Sequence, residues 1–363
     1  MNKSKVKKDQ FSVLPPFESR EDRIGQYFHK YLKEYIFDEL SPEFLERAGK
    51  LKFMKGIPVP FHKKDIEAFK DGTGLKVLDI AENMLWIMGI DPKFKYVPQY
   101  IKYISHFFND KIVDNIVKEG QNAVEKGDVD RGTIFFRVAL ILEPDNIHAM
   151  YSYAGVCREH YLNSTNGEYI GRFKAESIEY FELLTQVHPE FAEAYYYLGY
   201  DYLNMGLYQK AALTWQEYLQ KGINAKEKNE IEQRMEQLKD PIEIEKACNS
   251  VLTGRFEEAI QTLEPYLETD YKEWWPLYYY LGVSYSGTGR NNLALDSFKQ
   301  VLSINPAHGE SMLELAHLYR QNGDKENEKK YRKKAELVLN KEQGIKQVSR
   351  KEENRDERTI DRK

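Results

Sequence analysis

The chain has 363 residues, of which 41% are hydrophobic and 31% are charged, with a formal net charge of −5 at pH 7. Its apolar content suffices for a folded body, and the absence of a clustered basic excess excludes a dedicated nucleic-acid binder. There is no secretory signal and no stretch of about 18 apolar residues, so we expect no membrane association. The only cysteines, Cys157 and Cys248, fall in helical patterns and are interpreted as small core residues, which favours a cytoplasmic location.

The first third of the sequence predicts a disordered leader followed by a helical N-terminal region. Residues 1–20 are polar and rich in lysine, whereas apolar residues recur at spacings of three and four from Asp22 to Ile36 and predict a helix. Ser41 and Pro42 are expected to cap and begin the next helix. Two prolines require the segment at 56–61, GIPVPF, to be extended. Helical patterns follow over residues 64–70, 77–88, 97–108 and 111–126, and no strand alternation of useful length occurs.

From Val113 onwards, a pattern of small and large residues recurs about every 34 residues, which indicates stacked helical hairpins. An insertion around residues 163–172 lengthens the second unit, and a charged helix at 226–239 separates units one to three from units four to six. The last unit has Glu328 and Arg332 where small and aromatic residues are expected, as suits the end of a stack that meets water. The six units begin at Val113, Ile147, Ala192, Asp240, Trp275 and Gly309.

Two segments carry a family resemblance. They are YYYLGYDYLNMGLYQKAALTWQEYL at 195–219 and YYYLGVSYSGTGRNNLALDSFKQVLSINP at 278–306, and on them residues of about 113–340 resemble the tetratricopeptide repeat family. The resemblance implies an all-α fold, a right-handed superhelical solenoid of helical hairpins. The predicted organisation is a leader (1–20), a helical N-terminal region (21–112), repeats one to three with the extra helix (113–239), repeats four to six (240–340) and a charged flexible tail (341–363).

Within each hairpin, small residues are expected where the two helices cross, because closely approaching axes leave little room. Gly199 is therefore expected to face Ala211, and Gly282 to face Ala294. A glycine at position 15 of the unit should end the first helix in a left-handed conformation.

The resemblance also implies that the first helices line a concave groove that binds a peptide or protein. The groove does not match the Lys/Asn/Arg clamp with which some family members hold chaperone tails, so an apolar or mixed peptide is the expected ligand. The alternative is that the tyrosines only fill space between adjacent units. The candidate groove residues are Tyr196, Tyr200, Asn204, Tyr279, Val283, His317, Arg320 and Gln321.

No motif for catalysis, for a metal or for a cofactor stands out, so the sequence predicts a non-enzymatic scaffold or adaptor that binds proteins and neither nucleic acid nor membranes. One alternative is a peptide-sensing regulator of bacterial type with a helical N-terminal effector module. A second is an enzyme with a site in residues 22–110, which a polar pocket lined by Asp79, His62 or His106 would support. The oligomeric state is left open.

Overall fold

The computed structural model of the protein describes residues 17–49, 51–64, 76–109 and 111–339. The predicted leader up to residue 16, nearly all of the helix predicted at 64–70 and the tail predicted at 341–363 lie outside these residues. The chain divides into two compact units, each described by itself. The first comprises Met1–Gly206 and Lys210–Ile231, and the second comprises Leu207–Gln209 and Glu232–Lys363.

Helices make up most of both units, as the sequence predicts. None of the helices in the described part of the chain has the length and apolarity needed to cross a membrane. In chain order they are α1 (Pro42–Arg47), α2 (Val77–Ile90), α3 (Val97–Phe107), α4 (Ile112–Glu125), α5 (Val129–Leu142), α6 (Ile147–Leu162), α7 (Gly167–Val187), α8 (Ala192–Leu203), α9 (Tyr208–Lys221), α10 (Ala225–Gln237), α11 (Lys239–Leu252), α12 (Phe256–Leu263), α13 (Trp275–Gly287), α14 (Asn291–Ile304), α15 (Gly309–Gln321) and α16 (residues 325–339).

The helix predicted from Asp22 to Ile36 is wrong. That segment forms two 3₁₀ turns, Gly25–Tyr27 and His29–Glu34, and then strand β1 (Tyr35–Glu39). Strand β1 pairs antiparallel with β2 (Pro58–His62), so the expectation that no strand occurs fails for this ribbon. Strand β2 is formed by the extended GIPVPF segment, and its pairing with β1 cannot be predicted from the spacing of apolar residues within β1. Its prolines are tolerated because each strand of a two-stranded ribbon has an unpaired edge.

The start of α1 agrees with the sequence prediction. The side chain of Ser41 accepts a hydrogen bond from the backbone N–H of Phe44, at 3.2 Å, and Pro42 is the first helical residue. A serine cap satisfies one of the backbone donors that the first turn leaves without a partner.

The end of the predicted leader is ordered. Phe17 lies in a 3₁₀ turn, Phe17–Ser19, and is buried with its ring centroid 6.0 Å from that of Tyr153 on α6. The disorder expected through residue 20 therefore does not reach its last four residues. The buried ring of Phe17 provides the apolar contact that holds these residues against α6.

A buried ion pair fastens this N-terminal segment to the first repeat. Arg137 on α5 is fully buried and donates to both carboxylate oxygens of Asp22, at 2.9 and 2.5 Å. Its Nε also donates to the carbonyl oxygen of Gly89, at 2.7 Å. Burial alone would raise the pKa of Asp22, but the charge and hydrogen bonds of Arg137 outweigh it, so this pKa is lowered.

The hairpin turns follow the predicted glycine rule. At position 15, five of the six units have a glycine, and each of these has a φ between 73° and 82°. This left-handed conformation ends the first helix at little steric cost only because glycine lacks a Cβ atom. The five residues are Gly127, Gly206, Gly254, Gly289 and Gly323.

The helix lengths of two repeat units differ from those of the other units. In unit two the insertion is absorbed by longer helices, since α6 has 16 residues and α7 has 21. In unit four the second helix, α12, has 8 residues and is followed by a 3₁₀ turn, Glu264–Glu268, that contains Pro265. Proline has no N–H to continue the α-helical hydrogen bonds, so the helix ends there.

The helix crossings are filled by the aromatic residue of the second helix. A Cβ atom placed on Gly199 would lie 2.1 Å from Nε1 of Trp215, and one on Gly282 would lie 2.8 Å from Phe298. These rings, and not Ala211 or Ala294, are the nearest atoms to the two glycines in the Cβ direction. The glycines therefore make room for an aromatic ring of the second helix close to the backbone of the first.

Candidate binding surfaces

The three predicted groove residues of unit three lie on α8 or directly after it. Tyr196 and Tyr200 are half-buried with ring centroids 5.2 Å apart, whereas Asn204 is exposed. Both rings also contact α9, because Tyr196 lies 5.2 Å from Tyr218 and Tyr200 lies 4.9 Å from Trp215. We call Tyr196, Tyr200, Trp215 and Tyr218 the α8–α9 aromatic cluster.

The first half of α10 contacts this cluster through carboxylates. The hydroxyl of Tyr200 donates to Glu230 at 2.5 Å, and that of Tyr218 donates to Glu227. Burial and, after it, the hydrogen bond to the carboxylate raise the pKa of both Tyr200 and Tyr218, which keeps them protonated donors. Tyr196 and Tyr200 therefore already pack within their own hairpin and against the extra helix. Ligand binding by these tyrosines stays a prediction.

In the second compact unit, the five predicted residues lie on α13 and α15, the first helices of two successive repeats. Tyr279 on α13 is half-buried, with its ring 5.0 Å from His308 and 6.0 Å from Phe298, and Val283 lies one turn further along the helix. On α15, Leu313 is 43% exposed. Burial raises the pKa of Tyr279, and the carboxylates of α15 at positions 310 and 314 raise it further. This surface, which we call the α13–α15 face, is apolar with acidic residues beside it.

The other three predicted residues of this unit lie near the end of α15 and are exposed. His317 and Gln321 form a hydrogen bond between Nε2 atoms at 2.8 Å, and Nδ2 of Asn291 donates to Gln321 at 3.4 Å. Arg320 lies next to Gln321 in the same turn. The structure thus brings His317 and Gln321 together, while Tyr196, Tyr200 and Asn204 belong to the other compact unit.

A buried carboxylate between two first helices was not predicted. Asp201 on α8 is fully buried and accepts hydrogen bonds from Tyr161 at 2.7 Å and from Arg158 at 3.2 Å through the same oxygen, Oδ1. Burial raises the pKa of Asp201 despite these donors. In the sequence, its position between Tyr200 and Tyr202 was the signal that could have pointed to it. Two donors that hold one carboxylate make this a structural link between α6 and α8.

The first unit also contains an open cavity of about 620 Å³ between α2, α4, α5 and the end of the β-ribbon, which we call the N-terminal cavity. Such a volume is typical of small-molecule sites. It is lined by Glu34, Tyr35, His62, Lys64, Leu78, Ala81, Glu82, Asn83, Leu85, Trp86, Phe108, Ile112, Asn115, Ile116, Glu119, Arg131 and Phe135.

This cavity bears on the enzyme alternative. His62 lines it and lies 3.3 Å from Oε2 of Glu34, but Asp79 and His106 do not line it. Asp79 instead accepts from the backbone N–H of Lys76 at the start of α2, and the ring of His106 packs against Phe107. The described lining contains no Ser, Thr or Cys nucleophile. Of the three residues named for that alternative, only His62 lies in the described lining of the cavity.

One polar side chain of the described cavity lining, that of Asn83, is buried and has a nitrogen without a hydrogen-bond partner. It is 8% exposed, and its Nδ2 has no hydrogen-bond partner within the described structure. Leaving a buried donor without an acceptor costs about 1–3 kcal/mol. The guanidinium of Arg131, which also lines the cavity, lies 5.8 Å from the centroid of the Trp86 ring and 5.3 Å from that of the Phe135 ring.

Metal binding has no support in the parts of the chain that the structure describes, where no group of three or more His, Cys, Asp or Glu side chains could hold an ion. Cys157 is buried and Cys248 is half-buried, and both are free thiols. Burial raises the pKa of both, which disfavours the reactive thiolate.

Comparison with known families identifies the repeats of the second unit. Residues 276–308 and 309–336 each match the tetratricopeptide repeat model, and these segments comprise α13 with α14 and α15 with most of α16. Such repeats form protein-interaction modules in general. No curated protein matches the chain.

Several solved structures match the chain at low identity and with TM-scores under 0.5. The tetratricopeptide-repeat domain of P58(IPK) is 18% identical, with 69% of this chain and 68% of that chain covered and a TM-score of 0.35. A tetratricopeptide repeat protein from Parabacteroides merdae is 16% identical, with coverage of 70% and 93% and a TM-score of 0.30. YrrB, described as having an unusual peptide-binding site, is 14% identical, with coverage of 56% and 91% and a TM-score of 0.28. TM-scores this low carry no argument about function.

Proposed function

We propose that this chain, which carries tetratricopeptide repeats at residues 276–308 and 309–336, is a non-enzymatic scaffold that binds a partner protein or peptide on the α13–α15 face. The observation that carries the proposal is the arrangement of side chains on two successive first helices. Tyr279 and Val283 are half-buried and Leu313 is exposed, so apolar surface remains open to a partner there.

The chemistry of the face indicates the kind of ligand. Leu313 and Tyr279 offer apolar contact, and Glu310 and Glu314 place negative charge next to Tyr279. A peptide with an apolar anchor flanked by Lys or Arg would complement both features. We include the cytoplasm in the proposal, because both cysteines are free, as is usual in a reducing compartment.

The first unit supports this proposal less directly. Tyr196 and Tyr200 already contact α9 and α10, so replacing them would disturb packing as well as any binding. Asn204, exposed at the end of α8, remains a candidate contact there.

A matched pair of leucines tests the proposal. Leu313 on the first helix α15 and Leu293 on the second helix α14 are 43% and 48% exposed, so a charged substitution at either should leave the fold intact. Affinity purification from the native host should recover partners with the wild-type protein and with Leu293→Glu. With Leu313→Glu, the amount of partner recovered should fall by about tenfold or more. Circular dichroism controls for folding. Equal recovery by the two variants would show that the α13–α15 face is not the binding surface.

A further inference from the structure

We propose that the outer edge of strand β1 is a second binding site, on which an extended segment of a partner polypeptide adds as an antiparallel third strand. The segment that fits has an apolar or aromatic residue opposite Phe37 and a lysine or arginine opposite Glu39. This edge, which we call the β1 edge, belongs to the first unit and the α13–α15 face to the second, so either proposal can fail alone.

The hydrogen bonds of the ribbon decide which backbone groups of β1 point outward. The N–H of Lys63 donates to the carbonyl oxygen of Glu34 at 2.9 Å, and the register of the ribbon places these two residues opposite each other. Hydrogen-bonded and non-hydrogen-bonded pairs alternate along an antiparallel ladder. The pairs that contain Ile36 and Asp38 are therefore the hydrogen-bonded ones, whereas the N–H and C=O of Phe37 point away from β2.

Strand β2 agrees with this direction and is protected at its own outer edge. Pro58 and Pro60 have no N–H to donate. They lie opposite Glu39 and Phe37, in the pairs without hydrogen bonds. The outward carbonyl oxygen of Pro58 accepts a hydrogen bond from the hydroxyl of Tyr100 on α3, at 2.7 Å. The prolines and this contact disfavour a further strand beside β2, while β1 contains no proline.

The open backbone groups of β1 lie at its centre. The N–H of Tyr35 donates to the carbonyl oxygen of Leu32, and that of Glu39 donates to the side chain of Asp38 at 2.8 Å. The backbone of Phe37 makes no hydrogen bond to a described residue outside the ribbon. An extended polypeptide presents the N–H and C=O of one residue together to such an edge, which is why the ligand is a peptide strand.

The side chains of the β1 edge define the sequence of that strand. Ile36 and Phe37 lie on opposite faces and are 42% and 40% exposed. The ring of Phe37 lies 5.5 Å from that of Phe94, which provides aromatic surface for the residue that pairs with Phe37. Asp38 and Glu39 are exposed and β1 has no cationic residue, so a lysine or arginine on the added strand meets opposite charge.

Hydrogen exchange of the free, full-length protein, followed by NMR, tests whether the β1 edge is open. The amide of Phe37 should exchange fast, whereas those of Ile36 and Asp38, which point into the ribbon, should exchange more slowly. Protection of Phe37 in the free protein would overturn the proposal. It would mean that another segment of this chain occupies the edge, or a second copy if the protection rises with protein concentration.

A peptide with matched N-methyl groups tests the added strand. The probe is fluorescein-labelled N-acetyl-Thr-Lys-Thr-Phe-Val-Thr amide, and its anisotropy reports binding to the full-length protein. N-methylation of its Phe removes the N–H that donates to the carbonyl oxygen of Phe37 and should weaken binding by about tenfold. N-methylation of its Val should leave binding unchanged, because that N–H points away from β1. No saturable binding, or equal effects of the two methyl groups, would overturn the proposal.

Two substitutions of Phe37 provide the matched control on the protein. Phe37→Val and Phe37→Pro both remove the ring, but only proline removes the outward N–H, and β2 shows that the ribbon accepts proline at such positions. Phe37→Val should weaken binding severalfold, and Phe37→Pro by about a further tenfold, with the circular dichroism spectrum unchanged. Equal binding by the two variants would contradict a backbone-paired strand.

A charge swap tests the basic residue of the ligand. Glu39→Lys should weaken binding of the probe severalfold, and a probe with Glu in place of its Lys should prefer this variant to the wild type. Glu125→Lys, at an exposed carboxylate on α4, should bind as the wild type does. Equal effects at the two positions would overturn the choice of a basic partner. Leu313→Glu should bind the probe normally, which keeps this test separate from that of the α13–α15 face.

Discussion

The ion pair between Asp22 and Arg137 makes a quantitative prediction about what holds the N-terminal segment. Asp22→Asn removes the negative charge and can keep the side-chain oxygen that accepts from the backbone N–H of Gly25 at 2.8 Å. Arg137 is fully buried, so its charge loses its closest compensation. Breaking a buried pair costs about 3–5 kcal/mol, and we expect the lower end, about 3 kcal/mol, because the Asp22 side chain is 22% exposed.

The measurement is urea unfolding at pH 7 followed by circular dichroism, with hydrogen exchange to locate the effect. Exchange should accelerate first in residues 17–34 and in α5. Adding Arg137→Met to Asp22→Asn should cost less than the sum of the two single substitutions, because no unpaired charge then remains. A change of less than about 0.5 kcal/mol for Asp22→Asn, with exchange unaltered, would refute the reasoning.

Two further stability predictions follow from the described packing. In urea unfolding, Gly199→Leu should destabilise the protein by about 1–3 kcal/mol, because its Cβ would lie 2.1 Å from Trp215. As a control on α6, Gly155→Ala should stabilise the protein by about 0.5–1 kcal/mol, because no atom lies within 4 Å of the new Cβ. Equal effects of the two substitutions would contradict the packing at α8. Burial lowers the pKa of His160 from 6.5 to about 4, so the unfolded chain takes up a proton first as the pH falls. Stability should therefore decrease by about 3 kcal/mol between pH 6.5 and pH 4, and His160→Gln should flatten that part of the profile.

The fold was predictable where the constraint is local. Gly206 and Gly289 recur at one position of the repeat because a left-handed turn needs glycine, and both have positive φ. Ile36 was assigned wrongly because the helical spacing of apolar residues ends in a 3₁₀ turn, His29–Glu34, and only its last two residues, Tyr35 and Ile36, fall in the strand, too few to show the alternation of a strand. Its pairing with Phe61 depends on residues far along the chain.

The candidate surfaces were predictable only in part. The positions of Tyr279 and Val283 on a first helix follow from the repeat, and the structure places them on α13. The contact of Tyr200 with Glu230 could not be read from the sequence, since Lys226–Lys239 had no repeat register to align it with α8. The packing of Tyr200 is therefore a property of the assembled unit.

By itself, the sequence determined that hairpins form and where most of them turn, because the left-handed turn at position 15 needs a glycine whatever the rest of the chain does. Tertiary structure alone decided the N-terminal cavity and the burial of Asn83, because α2, α4 and α5 come from different parts of the chain and leave space between them. The spacing of residues along the sequence does not predict where a cavity remains between packed helices. That depends on the shapes of all the side chains at the junction.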